Sequence, residues 1–469
     1  MAQNYDLIVI GGGPGGYVAA IRAAQRGARV ALIEKRELGG TCLNRGCIPT
    51  KTIVRDAELY RDVASGNFGV LIEGTMKPDW PKILARKRQV VSTLVEGVAF
   101  LLNTYGVEHI TGIGCLEREG GVIAQTTDEL RKLDAPRVIL ATGSVPAEVP
   151  IPGTDLPGVV TSDGLLELES LPERLIVIGG SVVGVEFACI FAALGVKVTI
   201  LGRKSFLRDA EPQLAKRMRT MLSRAGMSIQ IGLEFRRIVR EGNGPLRVEY
   251  ERRGNIESAE GDLVLLATGR WPFSEGLGLE RLGIRREGRA IAVDPTLQTS
   301  VPGIYAIGDC IGGYMLAHVA SYEAEVAVDN ALGSHREADY RVVPNCIFTM
   351  PEIADVGLTE EEAKARGIEV NVTRFPFNVN GRALALGEGE GQIRMLCEKR
   401  QDGTGGRVLG VHIMGPRASD LIAEAALAMK LGATAEQIAE TIHAHPTVPE
   451  ALMEVAMAQG RGAIHYQNR

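Results

Sequence analysis

One plan occurs twice along these 469 residues and constrains the fold more than any other feature. The first copy opens with the apolar run Leu7-Ile8-Val9-Ile10, behind Tyr5 and Asp6. Such a run suits a parallel strand buried on both faces. The turn Gly11-x-Gly13-x-x-Gly16, which includes Pro14 and Gly15, follows. Then come a helix to about Gln25 and a strand Arg29–Glu34 that ends on an acid. The second copy runs Leu175-Ile176-Val177-Ile178 into Gly179-Gly180-Ser181-Val182-Val183-Gly184. Each copy later returns to Ala-Thr-Gly, as Ala141-Thr142-Gly143-Ser144 and as Ala267-Thr268-Gly269-Arg270. Glycines in such a turn let backbone N–H groups approach a pyrophosphate, and the helix N-terminus favours its charge. The expectation is an α/β chain with two doubly wound, Rossmann-like domains and two nucleotide sites. A Gly-rich turn without a ligand is the bland alternative. The strand before it, the helix after it and Glu34, placed for a ribose hydroxyl, argue for the nucleotide.

The second copy departs from this fingerprint twice. Ser181 stands for the second glycine and adds a Cβ where a pyrophosphate should come closest. After the strand Val196–Leu201 the chain reads Gly202-Arg203-Lys204, with Arg208 just beyond, where an acid would be expected. No side chain in that run accepts a hydroxyl hydrogen. Arginine and lysine instead suit a 2′-phosphate; the bland alternative is a solvated basic loop.

Inside the first copy lies Gly39-Gly40-Thr41-Cys42-Leu43-Asn44-Arg45-Gly46-Cys47, followed by Lys51. On an ideal helix the two cysteine Cα atoms would be about 8.6 Å apart, whereas a disulfide needs less than about 7 Å. A bond between these sulfurs therefore requires a bent backbone, and Gly46 can supply the bend. A bent, accessible disulfide suits exchange rather than stapling. Arg45 and Lys51 favour thiolates. Two free, buried cysteines are the bland alternative. Half of a zinc site is the other, but no second pair has ligand spacing.

Composition narrows the classes. Lys and Arg number 52 against 57 Asp and Glu, a net charge of −5, which disfavours nucleic acid as a partner. Seven cysteines in this length are no secreted disulfide framework. Leu175–Leu201 is apolar, but its glycines, Glu186 and Lys197 mark strand–turn–helix–strand rather than a membrane span. With a strand expected from Tyr5, no room is left for a targeting segment, so the cytoplasm is the expected location.

Asp6–Gly16, Glu34 and the Cys42/Cys47 loop together resemble the pyridine nucleotide–disulfide oxidoreductases, and the loop wording is closest to the dihydrolipoamide dehydrogenase branch. The likeness extends over essentially the whole chain. It implies FAD held by Gly11, Gly13, Pro14, Gly15, Gly16, Glu34, Lys35, Gly40, Thr41, Cys42, Cys47, Lys51, Thr142, Gly143 and Ser144. Gly308-Asp309 and Met315-Leu316-Ala317-His318 would complete that site, although His318 reads equally well as a structural histidine. NAD(P) would lie on Gly179, Gly180, Ser181, Val183, Gly184, Glu186, Arg203, Lys204, Arg208 and Gly269, with NADP(H) placed ahead of NAD(H) because of the basic run. Cys42 would exchange with substrate, Cys47 would face the flavin, and Lys51 would lie near flavin N5 and pair with Glu186. No metal is expected.

The last motif is His443-Ala444-His445-Pro446-Thr447-Val448-Pro449-Glu450. Thiol–disulfide exchange needs a base, and imidazole titrates in the right range. Two prolines preclude a regular helix, so a turn can bring Glu450 onto His445. The family's His-Ala-His-Pro-Thr wording favours His445 over His443 and implies a base acting across a homodimer. The expected division is 1–150 for the first FAD segment, 151–275 for NAD(P), 276–340 for completion of the FAD site, and 341–469 for dimerisation. The expected partner is a lipoyl-bearing carrier protein or a small dithiol. Two alternatives remain: another NADPH-dependent disulfide reductase of the glutathione type, and an FAD-holding redox sensor without turnover.

Overall fold

The computed structural model describes residues 3–467. Its first sheet is five-stranded and parallel, in the order Ile304–Ala306, Val138–Leu140, Leu7–Ile10, Val30–Glu34, Glu108–Thr111. The second runs Val159–Thr161, Leu263–Leu266, Arg174–Ile178, Lys197–Gly202, Ser228–Ile231, the same order except that its edge strand Val159–Thr161 comes first in the chain rather than last. Every residue of Leu7–Ile10 and of Val30–Glu34 is buried, as strands covered on both faces must be. The opening strand starts at Leu7 rather than Tyr5. Tyr5 instead bonds Asp134 through its amide, and its hydroxyl donates to Glu108 at 2.6 Å. The apolar stretch from Leu175 resolves into strand Arg174–Ile178, helix Val182–Ala193 and strand Lys197–Gly202.

Both fingerprint turns are close-packed for a reason that only the folded chain displays. The helix Pro14–Gln25 lays Gly15, Gly16, Ala19, Ala20 and Ala23 inward. A Cβ on Gly16 would fall 1.7 Å from the Gly11 carbonyl oxygen, and one on Gly184 would fall 2.6 Å from that of Gly179. A Cβ on Gly13 would meet nothing nearer than the Gly40 Cα at 3.9 Å, so its lack of a side chain leaves open space. Gly16→Ala should therefore destabilise the first domain by about 1–3 kcal/mol or more through overpacking. Gly13→Ala should leave folding intact. Melting curves and retained flavin for the two variants check this, and equal behaviour would refute it.

A third sheet, antiparallel, runs Asn345–Ile347, Glu352–Gly357, Gly405–Gly415, Gln392–Lys399, Val370–Pro376. Helices Ala418–Lys430, Ala435–Glu440 and Glu450–Met457 complete this C-terminal unit, whose core includes Phe375, Phe377, Ile413 and Leu452. No helix among the described residues is long and apolar enough to cross a membrane.

Candidate active site

Helix Gly40–Arg45 stops at Gly46, and helix Cys47–Ala64 starts directly after it. The break turns Cys47 back toward Cys42. A Cβ on Gly46 would lie 3.1 Å from the Thr41 carbonyl oxygen, tighter than side chains normally tolerate. Both cysteines are thiols in this structure, near enough to shift each other's ionisation. A Cys47 thiolate is favoured by the Cys42 thiol beside it and by the positive charge of Lys51 one turn along. Against the penalty of burial, these hold Cys47 down to about 7 while Cys42 is pushed up. The N-terminus of the helix that Cys47 opens favours a thiolate further.

Lys51 Nζ lies 2.9 and 3.1 Å from the two carboxylate oxygens of Glu186. Glu186 is only 4% exposed and comes from the first helix of the second nucleotide unit. The Phe348 amide donates to the same carboxylate at 2.8 Å, and Lys51 sits 4.4 Å over the Phe348 ring. A buried charge needs such partners. One cluster thus joins the cysteine helix, the second nucleotide unit and the C-terminal unit. Phe348 carried no sequence signal, because its role depends on a contact across 162 positions.

A cavity of about 2680 Å³ runs past this cluster. Its lining includes Gly11, Gly13, Lys35, Cys42, Cys47, Lys51, Thr142, Asp309 and Met315–His318 on one side, and Val182, Val183, Glu186, Arg208 and Gly269 on the other. That exceeds the roughly 300–1,000 Å³ of an ordinary small-molecule site and has room for a dinucleotide. Open space at Gly13 and the glycine-lined entry to the first helix suit a pyrophosphate. Glu34 is buried and accepts from the Gly12 amide at 2.6 Å and the Arg36 amide at 2.8 Å. Lys35 lies 4.1 Å over the Phe273 ring. His318 is exposed and bonded to the Pro344 carbonyl at 2.8 Å.

In the second turn the Ser181 hydroxyl donates to the Ala267 carbonyl oxygen at 3.1 Å. A Cβ on Gly202 would lie 2.5 Å from Ile231 Cδ1, the tip of a half-buried side chain, so a side chain there requires Ile231 to turn aside. Arg203 and Lys204 are exposed, with no ion pair among the described residues, and do not line the cavity. Arg208 lines it and pairs with Asp209 at 3.2 Å. Among the described residues no group of His, Cys, Asp and Glu has the arrangement of a metal site.

Pro446 and Pro449 hold the C-terminal motif out of a helix until Glu450. His445 Nδ1 lies 2.8 Å from Glu450 Oε1, and the Thr447 amide donates to the other oxygen at 2.8 Å. Burial pushes the Glu450 carboxyl up, but the Thr447 amide and the imidazole outweigh it and hold it below its ordinary value. The His445 side chain is 79% exposed and does not line the cavity of its own chain. His443 is the opposite case, only 5% exposed, with Glu424 at 3.0 Å and the Thr441 carbonyl at 2.8 Å. Within one chain, then, the cysteine pair and His445 are not brought together.

The chain is similar to known proteins along nearly its whole length. Residues 5–324 match the pyridine nucleotide-disulphide oxidoreductase family, and residues 343–456 match its dimerisation domain. A dihydrolipoyl dehydrogenase of Bacillus subtilis is 39% identical over 99% of this chain and all of its own length. Dihydrolipoyl dehydrogenase 3 of Pseudomonas aeruginosa is 41% identical over 97% of this chain and 98% of its own. Among solved structures, LpdA from Mycobacterium tuberculosis superposes with a TM-score of 0.89 at 28% identity, covering 97% of this chain and 99% of that one. The HOCl-induced flavoprotein disulfide reductase RclA from Escherichia coli, as its Cu(II) complex, gives 0.87 at 30% identity over 97% and 99%. With two nucleotide folds, a cysteine pair poised between them and relatives matching end to end, the chain belongs to the pyridine nucleotide–disulphide oxidoreductases, FAD- and pyridine nucleotide-dependent enzymes that carry their own dimerisation domain.

Proposed function

We propose that this chain is a dihydrolipoyl dehydrogenase, working between a dithiol, lipoamide on a carrier protein, and a nicotinamide nucleotide. The observation that carries the reading is the Cys42–Cys47 pair, with Cys47 held down to about 7, lining one cavity with Lys51, Glu186, the first glycine turn and Val182–Val183 at the start of the second unit's helix. Cys42 attacks or is attacked by substrate sulfur, and Cys47 faces the flavin. His445, fixed by Glu450, takes the thiol proton. Oxidation of one dithiol to a disulfide releases two electrons and two protons. The electrons reduce the Cys42–Cys47 disulfide and return it to the oxidised state when they leave for the nucleotide. FAD supplies the relay between those two steps. The first turn, Glu34, Lys35, Thr142–Ser144, Gly308, Asp309 and Met315–His318 would hold it, while Gly179–Gly184, Glu186 and Gly269 would hold the nucleotide.

The exposure of His445 outside its own cavity supports an obligate dimer in which each base serves the partner's cysteines. The domain division at 150, 275 and 340 follows this use of the chain, with Ile304–Ala306 returning to the first sheet. A cytoplasmic location accompanies the reading, since the enzyme draws on the nicotinamide pool.

Arg208 on the cavity wall, with Arg203 and Lys204 exposed on the same loop, supports NADP(H) ahead of NAD(H). A tenfold preference requires only about 1.4 kcal/mol of differential binding, within reach of one charge-assisted contact to a 2′-phosphate. Turnover of dihydrolipoamide and of glutathione disulfide with each nucleotide tests substrate and nucleotide together. Dihydrolipoamide should be the substrate, and Arg203→Ala should lower kcat/KM for NADPH selectively. A wild type that prefers NADH, with no selective loss in Arg203→Ala, would make the run a solvated loop. Efficient glutathione disulfide reduction would favour the glutathione-type alternative.

A further inference from the structure

The chain crosses between its two nucleotide units twice, directly after each Ala-Thr-Gly. The crossings pair as antiparallel strands Ser144–Pro146 and Arg270–Pro272. Their hydrogen bonds are reciprocal. The Phe273 amide donates to the Gly143 carbonyl at 2.9 Å, and the Ala147 amide donates to the Gly269 carbonyl at 2.9 Å. The Thr142 hydroxyl donates to the Phe273 carbonyl at 2.6 Å, and the Thr268 hydroxyl to the Ala147 carbonyl at 3.3 Å. The duplicated motif thus forms a pseudo-two-fold clasp in which each copy grips the residue four positions beyond the other copy's glycine.

The symmetry breaks at the next residue, Ser144 in one copy and Arg270 in the other. Arg270 Nε donates to the Ser144 hydroxyl oxygen at 2.7 Å, and its Nη2 donates to the Ser144 carbonyl at 2.8 Å. The Ser144 hydroxyl passes its own hydrogen to Asp309 Oδ2 at 2.5 Å. A hydroxyl can donate once while accepting from elsewhere, so it links a guanidinium to a carboxylate in one charge-assisted chain. The units touch again at Lys51–Glu186, beside the cysteines. Helices Cys47–Ala64 and Trp80–Thr104 also share one apolar core with the second unit, with the Trp80 and Phe191 rings 5.8 Å apart, so the clasp fastens the far edge of a broad interface.

We propose that Arg270 is a positioning residue for electron transfer between nicotinamide and flavin. Through Ser144 it locks the clasp to Asp309 and so sets the angle at which the nicotinamide unit faces the flavin. The proposal rests on the assignment of Asp309 to the flavin site. Displacements of about 1 Å can cost two orders of magnitude in transfer between bound partners, and a loosened clasp acts on that distance. The cysteine–flavin distance lies within the first unit and depends on the clasp only through Ser144 and Asp309.

The test uses the FAD-loaded enzyme and follows reduction of bound flavin by rapid mixing, once with NADH or NADPH and once with dihydrolipoamide. In Arg270→Met the nucleotide-driven step should slow about tenfold or more, with the dithiol-driven step within about twofold of wild type. Arg270→Lys, which keeps a cation and a donor, should recover part of the rate. Exchange of the Ala147 and Phe273 amides should quicken in Arg270→Met. Wild-type rates on both sides would overturn the proposal, as would an equal slowing of both steps. If Arg270→Met does not fold, Arg270→Lys must show the same one-sided loss in milder form. Asp309→Asn separates the two layers. Flavin held as firmly as in wild type would refute the Asp309 assignment itself, whereas loosened flavin there, with symmetric rates in Arg270→Met, would refute only the role of Arg270.

Discussion

Cys42→Ser should hold FAD and turn over no dithiol, with activity below about one-thousandth of wild type, because removing a nucleophile collapses the whole exchange sequence. Serine keeps the size and a hydrogen-bond donor to Cys47, so the loop should keep its shape. The reduced wild-type pair should show its environment directly. Cys47 is held down to about 7 by the Cys42 thiol and Lys51 against burial. Because the thiolate is the reactive form, alkylation of the reduced wild-type enzyme should contain a component that rises with pH and has its midpoint near 7. Wild-type dithiol oxidation in Cys42→Ser would end the assignment. A profile with no component below the ordinary thiol range would show that Lys51 and the helix do not tune Cys47.

His445→Gln should slow dithiol oxidation by roughly 10²–10⁴-fold, the usual worth of a positioned base, while the nucleotide still reduces the flavin. Glu450 fixes the ring through Nδ1 at 2.8 Å and is itself held by the Thr447 amide. His443→Gln should act differently. That ring is buried and bonded at both nitrogens, so its loss should lower stability more than it alters the chemical step. A larger fall in kcat for His443→Gln than for His445→Gln would reverse the assignment. Mixing Cys42→Ser chains with His445→Gln chains should restore activity in hybrid dimers, because one of the two shared sites keeps both its cysteines and its base. Demonstrated hybrids without activity would mean that the base serves its own chain.

The sequence by itself determined what depends on local chemistry. A short apolar run before a glycine turn becomes a buried strand and helix start wherever it lies, so both nucleotide units were legible from Leu7–Gly16 and Leu175–Gly184. Two cysteines five apart need a bend, and Gly46 sits where the helix breaks. Two prolines forbid a helix, and the turn they leave brings Glu450 onto His445. Tertiary structure decided everything that depends on how the layers stack. Lys51 and Glu186 are 135 positions apart and meet only because the second unit packs on the cysteine helix, with Phe348, just past the strand Asn345–Ile347 of the C-terminal unit, closing the contact. The glycine at 202 reads from sequence as a missing acid; in the fold the tip of Ile231 lies against it, a contact from the neighbouring strand. Likewise the two Ala-Thr-Gly motifs read as a repeat, but their mutual grip, with Arg270 reaching through Ser144 to Asp309, requires both crossings side by side. Periodicity and turn chemistry act over a few residues, whereas such contacts arise only when distant segments share a boundary, and no local pattern encodes which segments will share one.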